Sequence, residues 1–155
     1  MVQIESYGEE ILLMTKQEYD IVMVKIKEYP LWMKIAYTLW GEARNQKDDA
    51  KIAVAKVMLR RERDNQLWND ILAPYQFSCW NRDDPNLEPM LRADIRHDGM
   101  LRKCIEIAFF VIDNFKEIKD LPATNYHDIS VNPVWAAKMT YLTQIGAFKF
   151  YKENV

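Results

Sequence analysis

Cysteine and histidine are scarce in this 155-residue sequence, with two of each. Cys79 and Cys104 are too few for a disulfide framework, and neither sits in a C-x-x-C spacing, so two buried thiols are expected. His97 and His127 form no H-x-x-x-H or H-x-x-E-H pattern. A zinc peptidase or amidase needs about three protein ligands. They would have to be gathered from His97, His127 and a distant cysteine or aspartate, so no metal or other cofactor is expected. An excess of one charge is also lacking: 21 basic residues face 23 acidic ones, for a net charge of -2. That balance argues against a nucleic-acid partner. Charges break every apolar run before it reaches transmembrane length, so no membrane insertion is expected. The N-terminus, Met1-Val2-Gln3-Ile4-Glu5, has no basic region followed by an apolar one. The chain is therefore expected to be made in the cytoplasm without a signal peptide. Repeats, low-complexity tracts and Gly/Pro/Ser-rich linkers are absent. One domain of this length can bury a core of its own, and a monomer is expected.

What the sequence does contain is helical periodicity. Thr15-Lys16-Gln17-Glu18 reads as a capping box opening a helix to about Glu28. Residues 1–14 carry no clear pattern, and 1–29 are taken as an N-terminal helical extension. Pro30 starts the next helix, where its missing N–H costs nothing. There Leu31, Trp32, Ile35, Ala36, Leu39 and Trp40 recur as a wide apolar stripe. Gly41 is expected to loosen the helix end. Asp48 or Asp49 can cap a third helix from about Ala50 to Arg63, largely buried and close to Glu42. Arg60, Arg61 and Arg63 suit its C-terminal dipole, and the interleaved Glu62 and Asp64 argue against a nucleic-acid role for them. A short helix is expected over Leu67–Leu72, a loop over Ala73–Asn86, irregular or weakly helical chain over 87–97, and a long helix over Met100–Phe115. Residues 124–128, the alternating Met139, Tyr141, Thr143 and Ile145, and the pair Phe148 and Phe150 after Gly146 read as short strands. The expected class is mainly α with a small β-sheet (α+β).

Glu42 stands out. If helical phase persists past Gly41, it falls seven residues after Ile35 and three after Leu39, on the buried stripe. Burial disfavours the charged form of a carboxyl, and a helix C-terminus adds to that. Trp32 or Trp40 is expected beside it, while Arg44 would oppose the shift if it paired with Glu42. On spacing alone, a satisfied structural glutamate and a catalytic acid are equally good readings.

Tyr37 to Val57, YTLWGEARNQKDDAKIAVAKV, resembles the core motif of the spore-cortex-lytic, cell wall hydrolase family. There Glu-Ala-Arg precedes a polar turn and an Ile-Ala-Val-Ala helix. Tyr75-Gln76-Phe77-Ser78 with Trp80 is similar to the family's Gln-Phe-Ser loop. Ala123-Thr124-Asn125-Tyr126-His127 is similar to its Ala-Thr-x-Tyr segment, in the Tyr-His form of phage relatives. Asn132-Pro133-x-Trp135-Ala136 and the stretch from Ile145-Gly146 to Phe150-Tyr151 are similar to its C-terminal end. The four segments occur in order over roughly residues 31–152, with 30–152 as the catalytic core.

The resemblance implies a lysozyme-like fold and cleavage of peptidoglycan glycan strands, as a lytic transglycosylase or a muramidase. It places the catalytic role on Glu42, first in the family's Glu-Ala-Arg-Gly-Glu pattern. The second glutamate of that pattern is Gln46 here, and a family histidine near the end is Phe148. A lytic transglycosylase needs one carboxylate. A hydrolase normally wants two, with Asp48, Asp49, Asp83, Asp84 and Asp128 as undistinguished candidates. Tyr75, Gln76, Ser78, Trp80, Tyr126 and His127 are the expected substrate-binding residues. Tyr75 and Trp80 could equally anchor their loop, and Phe77 is read as an anchor. The family's N-terminal wall-binding module has no counterpart, so targeting is expected from the cleft. Delivery by a phage pore or as part of a virion is the implied route to the wall. The competing reading is a non-catalytic wall-binding or phage structural protein.

Overall fold

The computed structural model describes residues 2–6, 9–63, 71–72, 77–116 and 121–154, with backbone strands alone before residue 14. Strands β1 (Val2–Ser6) and β2 (Glu9–Leu13) pair antiparallel. The segment before Thr15 is thus a strand pair, and the expected helical extension is helical only in its second half. That half is α1 (Lys16–Lys27). The Glu18 N–H donates to Thr15 Oγ1 at 3.1 Å, and the Thr15 N–H donates to Glu18 Oε1 at 3.3 Å. Two donors that the helix leaves open are satisfied at once, and such an N-cap contributes about 0.5–2 kcal/mol.

Helix α2 (Leu31–Ala43) begins directly after Pro30. Its residues Ile35, Ala36 and Leu39 are fully buried. It packs against α3 (Asp48–Arg63) and α5 (Gly99–Asn114), which also touch each other. Helix α3 is the innermost: Ala50, Val54, Ala55, Val57, Met58 and Leu59 are all shielded from solvent. Its Lys51 is buried too, and its ammonium donates to the Gln46 carbonyl. Without such a partner a buried cation would be costly. Both tryptophans of α2 face α5. Trp32 stacks on Phe109 with centroids 5.0 Å apart, and the Trp40 indole N–H donates to the Asp98 carboxylate at 3.0 Å. Asp98 in turn caps α5 through the Leu101 N–H at 3.0 Å. Residues 87–97, expected to be irregular or weakly helical, contain a short helix, α4 (Leu87–Arg92). The expected helix at 67–72 falls mostly outside the described residues.

The sheet lies where the alternating runs put it, as β3 (Asn125–Asp128), β4 (Thr140–Ile145) and β5 (Phe148–Lys152). Its order is β3-β5-β4, antiparallel throughout. Gly146 turns the β4–β5 hairpin at φ +56, and a Cβ there would lie 2.8 Å from Gln46 Oε1. Glycine answers both demands. The same Gln46 oxygen accepts the Ala147 N–H at 3.2 Å, tying the hairpin to the α2–α3 turn.

Side chains alternate between the faces of a strand. One face of the sheet gathers Tyr126, Phe148 and Phe150, with Tyr126 centroids 5.1 and 5.9 Å from the two phenylalanines. The other gathers His127, Tyr151, Trp135 and Tyr141, with centroid separations of 5.3–5.6 Å. Cys79 and Cys104 are both buried and free. Among the described residues no helix is long and apolar enough to cross a membrane.

Candidate active site

Gly41 does not loosen α2, which continues through Glu42 to Ala43. Its role is to make room. A Cβ at Gly41 would lie 2.7 Å from Cys79 Cβ, 2.9 Å from its Sγ and 3.0 Å from Met90 Sδ. The tight 3-10 turn Ser78–Trp80 can therefore press against the last turn of α2, beside Glu42. Trp80 anchors that turn. It is 2% exposed, and its indole N–H donates to Thr38 Oγ1 at 2.8 Å. Of the two readings of Trp80, anchoring is the one that this burial fits, because no face is left for a sugar.

Glu42 opens onto a cavity of about 370 Å³. The helices contribute Glu42 and Arg61, and the loop contributes Phe77 and Ser78. The sheet side contributes Tyr126, His127, Asp128 and Phe148, with Val131 following β3. Burial pushes the Glu42 carboxyl above the ordinary glutamate range. Hydrogen bonds from the Cys79 backbone N–H and thiol work against this rise, the negative charge of Asp84 adds to it, and Arg61 opposes it. Glu42 also sits in the final turn of α2, where the helix dipole disfavours negative charge. Burial likewise pushes the Tyr126 hydroxyl well above its usual range, with the charge of Glu42 as the next cause. The Cys79 thiol is raised well above normal for the same two reasons. It stays a protonated, weakly donating group against Glu42.

The neighbours of Glu42 differ from those expected. Trp32 and Trp40 turn to α5, and the apolar walls of the cavity are Phe77, Phe148 and Val131. Arg44 is also turned away. Its guanidinium lies 4.2 Å over the Trp40 ring and donates to the Trp40 carbonyl and to Asn86 Oδ1, both at 3.1 Å. The cation near Glu42 is Arg61, which is 7% exposed. It lies 5.1 Å over the Phe77 ring and donates from Nε to the Thr124 carbonyl at 2.9 Å. Sequence reasoning assigned Arg61 to the helix dipole. The available signal was its phase: Arg61 follows Val54 and Val57 at helical spacing on the buried side of α3.

The expected binding residues divide. Ser78 is exposed at the cavity, and Tyr126 lies within it. His127 borders the same cavity, but its ring belongs to the other face of the sheet. Its Nδ1 donates to the Asp128 carbonyl at 2.8 Å, and its Nε2 is 2.9 Å from the Tyr151 hydroxyl. Strand alternation thus puts its ring on the opposite face of β3 from Tyr126, at the border of the cavity that both line. Tyr75 and Gln76 lie outside the described residues. Of the five aspartates, only Asp128 lines the cavity. His97 is on the surface, paired with Asp94 at 3.1 Å. Among the described residues no three His, Cys, Asp or Glu side chains come together as a metal site.

A roomier depression of about 720 Å³ lies beside α2, α4 and α5, lined in part by Trp40, Asp94, His97 and Asp98. Its acids are engaged: Asp94 accepts the Arg96 N–H at 2.9 Å, and Asp98 holds Trp40 and Leu101. The carboxyl raised by burial, Glu42, opens onto the smaller cavity and not onto this depression.

Residues 45–151 match the model of a family described as cell wall hydrolase. Glu42 stands just before that stretch. The fold is similar to the catalytic domain of the germination-specific lytic transglycosylase SleB from Bacillus anthracis. The TM-score is 0.56 at 19% identity, over 81% of this chain and 98% of that one. Both are mainly helical α+β folds of lysozyme-like type. No match was found among curated protein sequences.

Proposed function

This chain belongs to the cell wall hydrolase family, and from that premise we propose that it cleaves peptidoglycan glycan strands, with Glu42 as the acid and then the base. The observation that carries the reading is the desolvated Glu42 carboxyl at the end of α2, opening onto a cavity. General acid catalysis needs a carboxyl still protonated near the working pH, and a low-dielectric setting provides one. In lysozyme the catalytic glutamate is raised in the same way, by an apolar wall that includes a tryptophan. Here phenylalanines and a buried tyrosine take that place.

In the proposed reaction Glu42 gives its proton to the oxygen joining N-acetylmuramic acid to N-acetylglucosamine. The bond from that oxygen to C1 breaks, and positive charge spreads over C1 and the ring oxygen. The muramoyl C6 hydroxyl oxygen then closes onto C1 and returns its proton to Glu42. The product carries a 1,6-anhydro end, and no water is consumed. Ser78 and Tyr126 bear polar groups at the cavity and are the binding residues that this reading favours, with Tyr75 and Gln76, which shortly precede Ser78 in the sequence. Hydrolysis is the second reading, favoured by a second carboxylate at the cavity, Asp128. Mass spectrometry of peptidoglycan digested by wild type and Glu42→Gln in parallel tests both. Anhydro ends, lighter by one water than reducing ends, are expected from wild type and neither product from the variant. Digestion by Glu42→Gln at the wild-type rate would overturn the assignment.

A further inference from the structure

Resting on the reading of Glu42 as the acid, we propose that Asp128 is a second catalytic carboxylate, on the sheet side of the cavity and stabilising positive charge at C1. Asp128 pairs with Phe148 and Tyr126 with Phe150 in the β3–β5 register. Alternation therefore places Asp128 on the face of β3 that carries Tyr126. Both residues line the cavity that Glu42 opens onto.

The carboxylate is held in place. Asp128 Oδ1 accepts the Ser130 N–H at 2.8 Å. This bond, and next the Ser130 hydroxyl, keep Asp128 below the ordinary aspartate range, with a smaller contribution from neighbouring His127. The charged groups sharing the cavity are Glu42 and Arg61. The two carboxyls thus have opposite surroundings: one is raised by desolvation, the other lowered by hydrogen bonds. That division separates an acid from a charge stabiliser in glycosidic cleavage. The other four candidate aspartates are placed elsewhere. Asp48 faces Lys103 at 3.6 Å, Asp49 accepts the Ala50 N–H at 2.8 Å, and Asp83 is exposed outside the cavity. Asp84 accepts the Asn86 N–H at 2.8 Å and acts on Glu42 only by its charge.

A purely structural Asp128 would do no more than close the Ser130 turn. Asp128→Asn and Asp128→Ser both keep an acceptor for the Ser130 N–H and remove the charge. Both are compared with wild type and Glu42→Gln on the same peptidoglycan across pH, with Tm recorded. The expected result is a loss of about 100-fold in kcat, the scale of one lost transition-state contact, with KM changed little. The acid limb of the pH–rate profile should also move or vanish, since it reports protonation of Asp128, while the alkaline limb of Glu42 stays. Substrate carboxylates titrate alike in every sample, so a difference between profiles belongs to the enzyme. Near-wild-type kcat, an unmoved acid limb, or a loss confined to KM or Tm would each overturn the proposal. If only Glu42→Gln is inactive, the Asp128 inference fails alone. If Glu42→Gln is active as well, the reading of Glu42 fails with it.

Discussion

Tyr126 and His127 are neighbours in the chain and members of opposite faces of one sheet. Tyr126 lies in the cavity with Glu42, where burial and charge raise its hydroxyl. His127 is stacked on Tyr151 and set edge-on to Trp135, and both its ring nitrogens are in hydrogen-bond contact within the protein. One face turns toward the cavity of Glu42, and the other packs aromatic rings against His127. A histidine beside a tyrosine in a motif is therefore no guide to a shared role when the pair lies on a strand.

The comparison predicts that changes on the cavity side alter turnover and changes on the far side alter stability. The largest effect belongs to Glu42→Gln, which should lower turnover by about 10²–10⁴-fold, the usual scale of acid–base catalysis. The same variant should be more stable than wild type at neutral pH. Because the folded protein holds Glu42 above its ordinary value of about 4.3, ionisation opposes folding as pH rises through that value. Below about pH 3 both states are protonated and the difference should vanish. Thermal unfolding at the two pH values checks this, and equal Tm values at neutral pH would count against a desolvated Glu42.

Gly41→Ala comes next. The added methyl collides with Cys79 and Met90, and overpacking of this kind costs about 1–3 kcal/mol. The better helix propensity of alanine, about 1 kcal/mol, offsets part of that. Denaturant titration should show the loss, and activity should fall with it because the Cys79 turn shifts away from Glu42. Smallest is Tyr151→Phe on the far face. It removes the hydroxyl that faces His127 Nε2, a change of about 1 kcal/mol, with kcat within error of wild type. A large fall in kcat at unchanged stability would break the division between the two faces.

Much of the frame was legible in the sequence because it depends on local rules. The Thr15–Glu18 box, the stripe from Leu31 to Trp40 and the alternating runs on either side of Gly146 each require only neighbouring residues to agree. Phase alone placed Glu42 on a buried side. The partners of Glu42 were not legible, because they are set by packing between distant segments. Gly41 suggests a loosened helix end, yet its missing side chain admits Cys79. Trp32 and Trp40 were expected beside Glu42, yet α5 offers both a better surface, an aromatic ring for one and a carboxylate for the other. Arg44 was the nearest cation in sequence, but it stacks on Trp40. Arg61, one turn from the end of a different helix, takes its place.

The central claim is that burial at the end of α2 makes Glu42 an acid. It is tested most directly by following the Glu42 side-chain carboxyl through a pH titration by carbon-13 NMR, with Glu42→Gln identifying its resonance. The account predicts a midpoint above the ordinary glutamate value of about 4.3. A midpoint at or below that value would contradict it.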